Sequence, residues 1–209
     1  MLGPVRGEFA VPPRPMPGRN PPLRNPQAAH AMKPQPWAPH VTVAAVVEQP
    51  TESRRQGPAR FLMVEEHTVD GLRLNQPAGH LEAGETLLEA VRRETLEETA
   101  RTFVPQALVG VYMTHFARPG LADATYLRFT YCGEAGEVLA GYERDSDIVR
   151  TLWMTLDELR DTQARHRTPL VLRCVEDYLD GRRFPLDLVH TDSVAPHPAN
   201  GPKPVAEEF

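Results

Sequence analysis

Apolar positions along the chain follow two different periods, and these divide it into elements. Residues 40–48, HVTVAAVVE, are β-branched and nearly continuous in apolar side chains, which predicts a strand buried on both faces. Polar residues 49–58 predict a turn and 60–66 a second strand. Asp70-Gly71 is a hairpin signal. Residues 74–80, with Pro77 and Gly79, read as a loop that leads into a helix. There the period changes: Leu88, Val91, Thr95 and Thr99 recur at helical spacing and form a narrow, mostly apolar stripe. Thr86-Leu-Leu-Glu89 is a capping box that sets where this helix starts. Residues 107–117 and 124–133 read as strands flanking a turn at 118–123. In the second, Tyr126, Arg128 and Thr130 alternate with Leu127, Phe129 and Tyr131, so one face offers a polar ligand wall. A short strand over 149–154 carries Trp153, helices follow at 156–160 and 169–179, and Gly181 ends the last. Strands on either side of a long helix, with further helices late, predict an α+β fold with a mixed β-sheet sandwiched between helical layers (α/β/α).

Composition narrows the foldable part. Half of the 22 prolines lie in residues 1–39, a stretch without apolar periodicity that buries too little surface to offset its ordering entropy. Residues 1–38 are therefore expected to be a disordered proline-rich extension, 39–189 one domain, and 190–209 a disordered tail. The N-terminal stretch has no continuous apolar core of a secretory signal. No apolar run approaches the length of a membrane span. A net charge of −5 argues against a nucleic-acid polymer as partner. Cys132 and Cys174 lack CxxC spacing and read as buried free thiols of a reducing compartment. The expectation is a cytoplasmic protein, monomeric rather than oligomeric.

The chemistry lies in the long helix. Glu94, Glu97 and Glu98 stand at i, i+3 and i+4 and share one arc beside the apolar stripe. Carboxylates that close repel, costing a helix a few tenths of a kcal/mol each. A hard divalent cation such as Mg²⁺ reverses the sign, because it takes oxygen ligands shared between carboxylates and substrate phosphates. Most acidic helix faces are solvated surface, but here Gly79, Glu85, Arg93, Glu94, Glu97 and Glu98 stand at set distances. That combination arises by chance at on the order of one start in ten million.

The run resembles the Nudix box, Gly-x5-Glu-x7-Arg-Glu-U-x-Glu-Glu-x-Gly-U, where U is a bulky aliphatic residue. It departs at three places: Thr95 stands at the first U, Ala100 at the final glycine and Arg101 at the last U. Alanine where a left-handed residue is needed costs about 1 kcal/mol or ends the helix differently. The segments PHVTVAAVV, VEE, NQPAGHLEA and DSDI, together with Trp153, extend the resemblance to the NudJ-type Nudix phosphatases of bacteria over about residues 38–189. It implies the Nudix fold and a Mg²⁺-dependent hydrolase, with Mn²⁺ as a substitute, that removes orthophosphate from nucleoside tri- and diphosphates and thiamine-type pyrophosphates.

On that basis Glu94, Glu97 and Glu98 form the metal set, and the resemblance adds the Gly79 carbonyl. Glu94 or Glu97 takes the proton of the attacking water. Arg93 is expected to pair with Glu85, holding the loop on the helix as part of the catalytic apparatus. His80 is either a phosphate contact or a loop histidine, and Arg128 either a phosphate ligand or a snorkelling arginine. Asp145 and Asp147 supply a further ligand or base, or cap their turn. Gln76 is expected to line the pocket. Two alternatives stay open: a pyrophosphatase of ADP-ribose or dinucleotide type, and a non-catalytic Nudix-like nucleotide-binding module.

Overall fold

The computed structural model describes residues 37–51, 57–117 and 123–192. Apart from residues 37–38 and 190–192, the extensions expected to be disordered at 1–38 and 190–209 fall outside the described residues, as does most of the turn at 118–123. The compact unit begins at Ala38. It contains β1 (His40–Val47), β2 (Arg60–Thr68), β3 (Gly71–Asn75), β4 (Ala78–His80), α1 (Leu87–Thr99), β5 (Arg101–Phe116), β6 (Ala124–Val138), β7 (Ile148–Thr155), α2 (Leu156–Asp161) and α3 (Leu170–Leu179).

The mixed sheet is four-stranded, in the order β4-β1-β6-β5, with β1 parallel to β6 and antiparallel to β4. Beside it lies a second, antiparallel sheet, β3-β2-β7. The strands alternate their side chains between two cores, as a period of two requires. Val43, Ala45 and Val47 of β1, with Leu62 of β2, pack on Ala90 and Val91 of α1. Val46, Phe61 and Met63 point the other way, onto Leu159 of α2 and Val171, Cys174 and Val175 of α3. The two sheets thus share one middle layer between helices. Cys132 and Cys174 are both buried and free.

Two segments differ from expectation. Part of the supposed loop at 74–80 is β4, a strand too short for any periodicity to reveal. It is held by the Ala45 N–H donating to the Pro77 carbonyl at 2.9 Å and the Leu81 N–H donating to that of Val41 at 3.0 Å. β5 starts at Arg101, straight after the helix, rather than at 107. Pro105 hid that stretch, since it cannot donate to a ladder, and the register slips between Pro105 and Ala107. Among the described residues no helix is long and apolar enough to cross a membrane.

The departures at the end of α1 have local solutions. Thr95 is fully buried, and its hydroxyl donates to the Val91 carbonyl at 2.7 Å, one turn back. Ala100 adopts the left-handed conformation (φ 55°) that glycine usually supplies, and its N–H donates to Leu96 O at 2.8 Å. Arg101 donates to the Gly136 carbonyl at 2.7 Å and lays its guanidinium over the Trp153 ring, 5.7 Å from the centroid.

Candidate active site

α1 and β4 are built against one another. The capping box fixes the helix start: the Glu89 N–H donates to Thr86 Oγ1 at 3.1 Å and the Thr86 N–H to Glu89 Oε2 at 2.8 Å. One turn on, Arg93 gathers the loop onto the helix. Its Nε and Nη2 donate to the two Glu85 carboxylate oxygens at 3.0 and 2.7 Å, and Nη2 also to the His80 carbonyl at 2.9 Å. Its Nη1 reaches Glu94 Oε1 at 2.8 Å and Glu97 Oε2 at 3.0 Å. These bonds hold the Glu85 carboxyl below its ordinary range, Arg93 being the main cause.

Glu94 lies directly on Gly79: a Cβ at that position would come within 2.1 Å of the Glu94 carboxylate, so any other residue there displaces it. Glu98 is 7 % exposed, accepts from the Ala78 N–H at 2.9 Å and makes no ion pair among the described residues. Burial pushes the Glu98 carboxyl well above its usual range, with the negative charges of Glu66, Glu94 and Asp145 adding to the rise. Burial raises Glu94 too, against the pull of Arg93. Glu98 is thus buried without a cation among the described residues, and Glu94 shares its one cation, Arg93, with Glu85 and Glu97.

That deficit, and an all-oxygen donor set, fit a hard divalent cation such as Mg²⁺. Among the described residues no three His, Cys, Asp or Glu side chains converge closely enough to hold an ion as they stand. Arg93 holds Glu94 and Glu97 in hydrogen bonds of its own.

Beside Gly79 opens a cleft of about 760 Å³, between the polar end of the four-stranded sheet and the β2–β3 hairpin. Of the residues expected from the sequence, Gly79, His80, Arg128 and Asp147 line it. Glu85, Arg93, Glu94, Glu97 and Glu98 do not line it, but Glu94 lies against Gly79 and Glu98 against Ala78. Gln76 does not line it. It is 1 % exposed, donates to the Val171 carbonyl at 2.6 Å and supports Arg128 from behind. Asp145 and Asp147 share a turn tied to both sides: the Asp145 N–H donates to the Glu97 carbonyl at 3.0 Å, and the Asp147 carbonyl accepts from the His67 N–H at 2.8 Å.

Arg128 is the cleft's notable cation. It is 6 % exposed and donates to two amide oxygens, Gln76 Oε1 at 3.4 Å and Asn75 Oδ1 at 3.3 Å. Burial lowers its proton affinity, yet no carboxylate pairs with it among the described residues. A buried guanidinium in that state is a ready receptor for an anion.

Sequence reasoning missed Glu66, Asn75 and Arg167. Glu66 accepts from the Asn75 amide at 3.3 Å and pairs with Arg167, so one carboxylate orients two of the cleft arginines, Arg167 directly and Arg128 through Asn75. The available signal was the pair Glu65-Glu66 closing an apolar strand, one carboxylate on each face. Glu65 is held on the opposite face by Arg150 at 2.6 Å and by Arg165. Arg167 sits in a connecting segment and carries no sequence signal.

Comparison with known proteins follows the same lines. The family model of the NUDIX domain matches residues 38–174. Phosphatase NudJ of Escherichia coli (strain K12) is 39% identical over 155 residues, which cover 73% of this chain and 92% of that protein. A solved NUDIX hydrolase from Nitrosomonas europaea is 44% identical, spans 75% of this chain and 99% of its own, and superposes with a TM-score of 0.66. The NUDIX domain of Shewanella oneidensis NrtR, solved with ADP ribose, shares the fold at 15% identity and a TM-score of 0.54, covering 72% of this chain and 94% of that one. With box, fold and relatives in agreement, the chain belongs to the Nudix family and is a hydrolase of phosphorus-containing acid anhydrides.

Proposed function

We propose that the protein is a Mg²⁺-dependent phosphatase, able to use Mn²⁺, that hydrolyses the terminal phosphoanhydride of nucleoside tri- and diphosphates and thiamine-type pyrophosphates and releases orthophosphate. The observation that carries this reading is the likeness over 155 residues to a relative named a phosphatase. The cleft supports it, because its wall presents a buried arginine that among the described residues has no carboxylate partner, together with the box glycine.

Hydrolysing a phosphoanhydride is a problem of bringing water to an already anionic centre and neutralising the charge that leaves. Bound Mg²⁺ supplies that neutralisation and lowers the pKa of the water it holds. Glu94, Glu97 and Glu98 would hold the ion, with the Gly79 carbonyl beside them. Glu94 is our choice for the proton acceptor, with Glu97 second: burial raises its proton affinity toward the working pH, as a general base requires. Arg128 receives phosphate oxygens, with Asn75 and Gln76 setting its plane. His80 and Asp147 contact the substrate from the rim. Arg93 and Glu85 act as positioning residues, keeping the loop closed on α1 while the glutamates turn to the ion.

Product identity tests the reading. Purified protein with Mg²⁺ is given GTP, GDP and thiamine pyrophosphate, and orthophosphate and pyrophosphate are measured separately. Stepwise orthophosphate, from the diphosphates as well, is the expected result. Pyrophosphate as the product, or cleavage confined to ADP-ribose and dinucleotides, would overturn the substrate class. Binding of these compounds without turnover across several divalent metals would point to a binding module.

A further inference from the structure

A second, smaller cavity shares no lining residue with the cleft. It holds about 360 Å³, at the lower end of the range of ligand pockets. Its walls are apolar. Leu87 and Leu88 stand on the first turn of α1, Leu186 and Val189 on the 3₁₀ turn after α3 and its exit, and all four pack only in part against the core. Its polar groups are unspent. Tyr131 of β6 lines the cavity and is 1 % exposed, yet its hydroxyl has no hydrogen-bond partner among the described residues. A buried tyrosine hydroxyl ordinarily finds one. Burial alone pushes this phenol up to about 12.

The helix start adds two donors. The capping box takes the Glu89 N–H, and the Ala90 N–H donates to the Thr86 carbonyl at 2.9 Å. The Leu87 and Leu88 N–H groups ahead of them have no partner among the described residues. Charge selects what these donors meet. The positive end of the helix dipole disfavours a cation. Asp187 lines the cavity with an exposed carboxylate, and Glu89 sets another on the same first turn, so an anion gains little. His190, at the rim, lies 3.0 Å from the Asp192 carboxylate. An uncharged acceptor meets none of this opposition.

We propose that this cavity is a second ligand site, separate from the hydrolytic cleft, for a small uncharged molecule with an apolar body and one carbonyl-type oxygen. The oxygen accepts from the Tyr131 hydroxyl and the first-turn N–H groups, and the body lies among Leu87, Leu88, Leu186 and Val189. Such a ligand joins the segment after α3 to the start of the helix that carries the box carboxylates. Leu87 precedes Glu94 by about 10 Å along that helix axis, so an occupied cavity leaves the cleft free.

The test follows backbone amide shifts by nuclear magnetic resonance in the full chain with Mg²⁺, and so does not depend on turnover. The probes share one ring: acetophenone carries the carbonyl, ethylbenzene lacks an acceptor, and benzoate is an anion. Acetophenone is expected to shift the Leu87 and Leu88 amides saturably, with the same Kd whether or not inorganic pyrophosphate is present. Ethylbenzene and benzoate are expected to bind about threefold more weakly or worse. Tyr131→Phe keeps the ring and removes the hydroxyl. It is expected to raise the acetophenone Kd about three- to tenfold, the worth of one hydrogen bond, without lowering Tm. Val189→Trp fills the cavity and is expected to abolish binding of all three, which keeps the proposal testable should Tyr131→Phe not fold. The site is overturned by acetophenone shifts that do not saturate at Leu87 and Leu88, or by displacement with pyrophosphate. Ethylbenzene or benzoate binding as tightly as acetophenone, or an unchanged Kd in Tyr131→Phe, would overturn it too. So would a clearly lower Tm in that variant, which would show the hydroxyl bonded within the protein.

Discussion

At the scale of single residues, the site holds negative charge at a cost to stability. Glu98 binds a proton more readily in the folded protein than in the unfolded chain, because burial and its acidic neighbours disfavour the anion. A folded pKa above the ordinary value near 4.5 means that stability falls as pH rises from about 4.5 through the raised value. Glu65 runs the other way: its hydrogen bond to Arg150 lowers its pKa, so its contribution is complete above about 4.5 and is lost as pH falls through the lower value. Metal-free protein, melted in EDTA across pH 4–8, is therefore expected to be most stable in mildly acidic solution. Glu98→Gln keeps an acceptor for the Ala78 N–H and removes the carboxyl whose ionisation favours the unfolded chain. It is expected to raise the metal-free Tm at pH 7 by about 2–4 °C, the shift that about 1 kcal/mol produces in a chain of this size. Gly79→Ala tests the contact behind the cleft. Its methyl would occupy the space of the Glu94 carboxylate, and phosphate release is expected to fall on the order of 10²-fold or more as the carboxylate moves, with far-ultraviolet circular dichroism unchanged.

At the scale of elements, the capping box at Thr86 and the hairpin at Asp70-Gly71 were legible because their signals are local hydrogen-bond chemistry. β4 was not, since three residues carry no period and its ladder partners are distant in sequence. The long β5 was hidden by Pro105, which reads as a breaker until the slip beside it is seen. The end of α1 shows two effects in near balance. Ala100 incurs about 1 kcal/mol for its left-handed backbone, but its methyl is buried and contributes about 0.8 kcal/mol. Ala100→Gly is accordingly expected to change unfolding free energy by less than about 0.5 kcal/mol in urea melts. A gain or loss well beyond 1 kcal/mol would show that one of these terms is misjudged.

At the scale of the whole molecule, α1 supplies charge and the two sheets supply the cleft, and they meet at Ala78 and Gly79. The carboxylates could be read from sequence because they lie within one helix at fixed spacing. The cleft could not, because Glu66, Asn75, Arg128 and Arg167 converge from three separate segments. Only Arg128 announced itself, through the alternation of its strand. If the buried carboxylates await a cation, Mg²⁺ should stabilise the fold in proportion to its occupancy, by about 2.7 kcal/mol at a hundred times Kd. Thermal melts over a Mg²⁺ titration check this, and Glu98→Gln should blunt the response. The most direct measurement is orthophosphate release from GDP over a Mg²⁺ titration, run side by side on wild-type protein and Glu98→Gln. Release that requires Mg²⁺ and falls on the order of 10²–10³-fold in the variant, while the variant melts no lower than wild type without metal, is the predicted result. Release that persists in EDTA, or survives the substitution at the wild-type rate, would contradict a metal-dependent site built on these carboxylates.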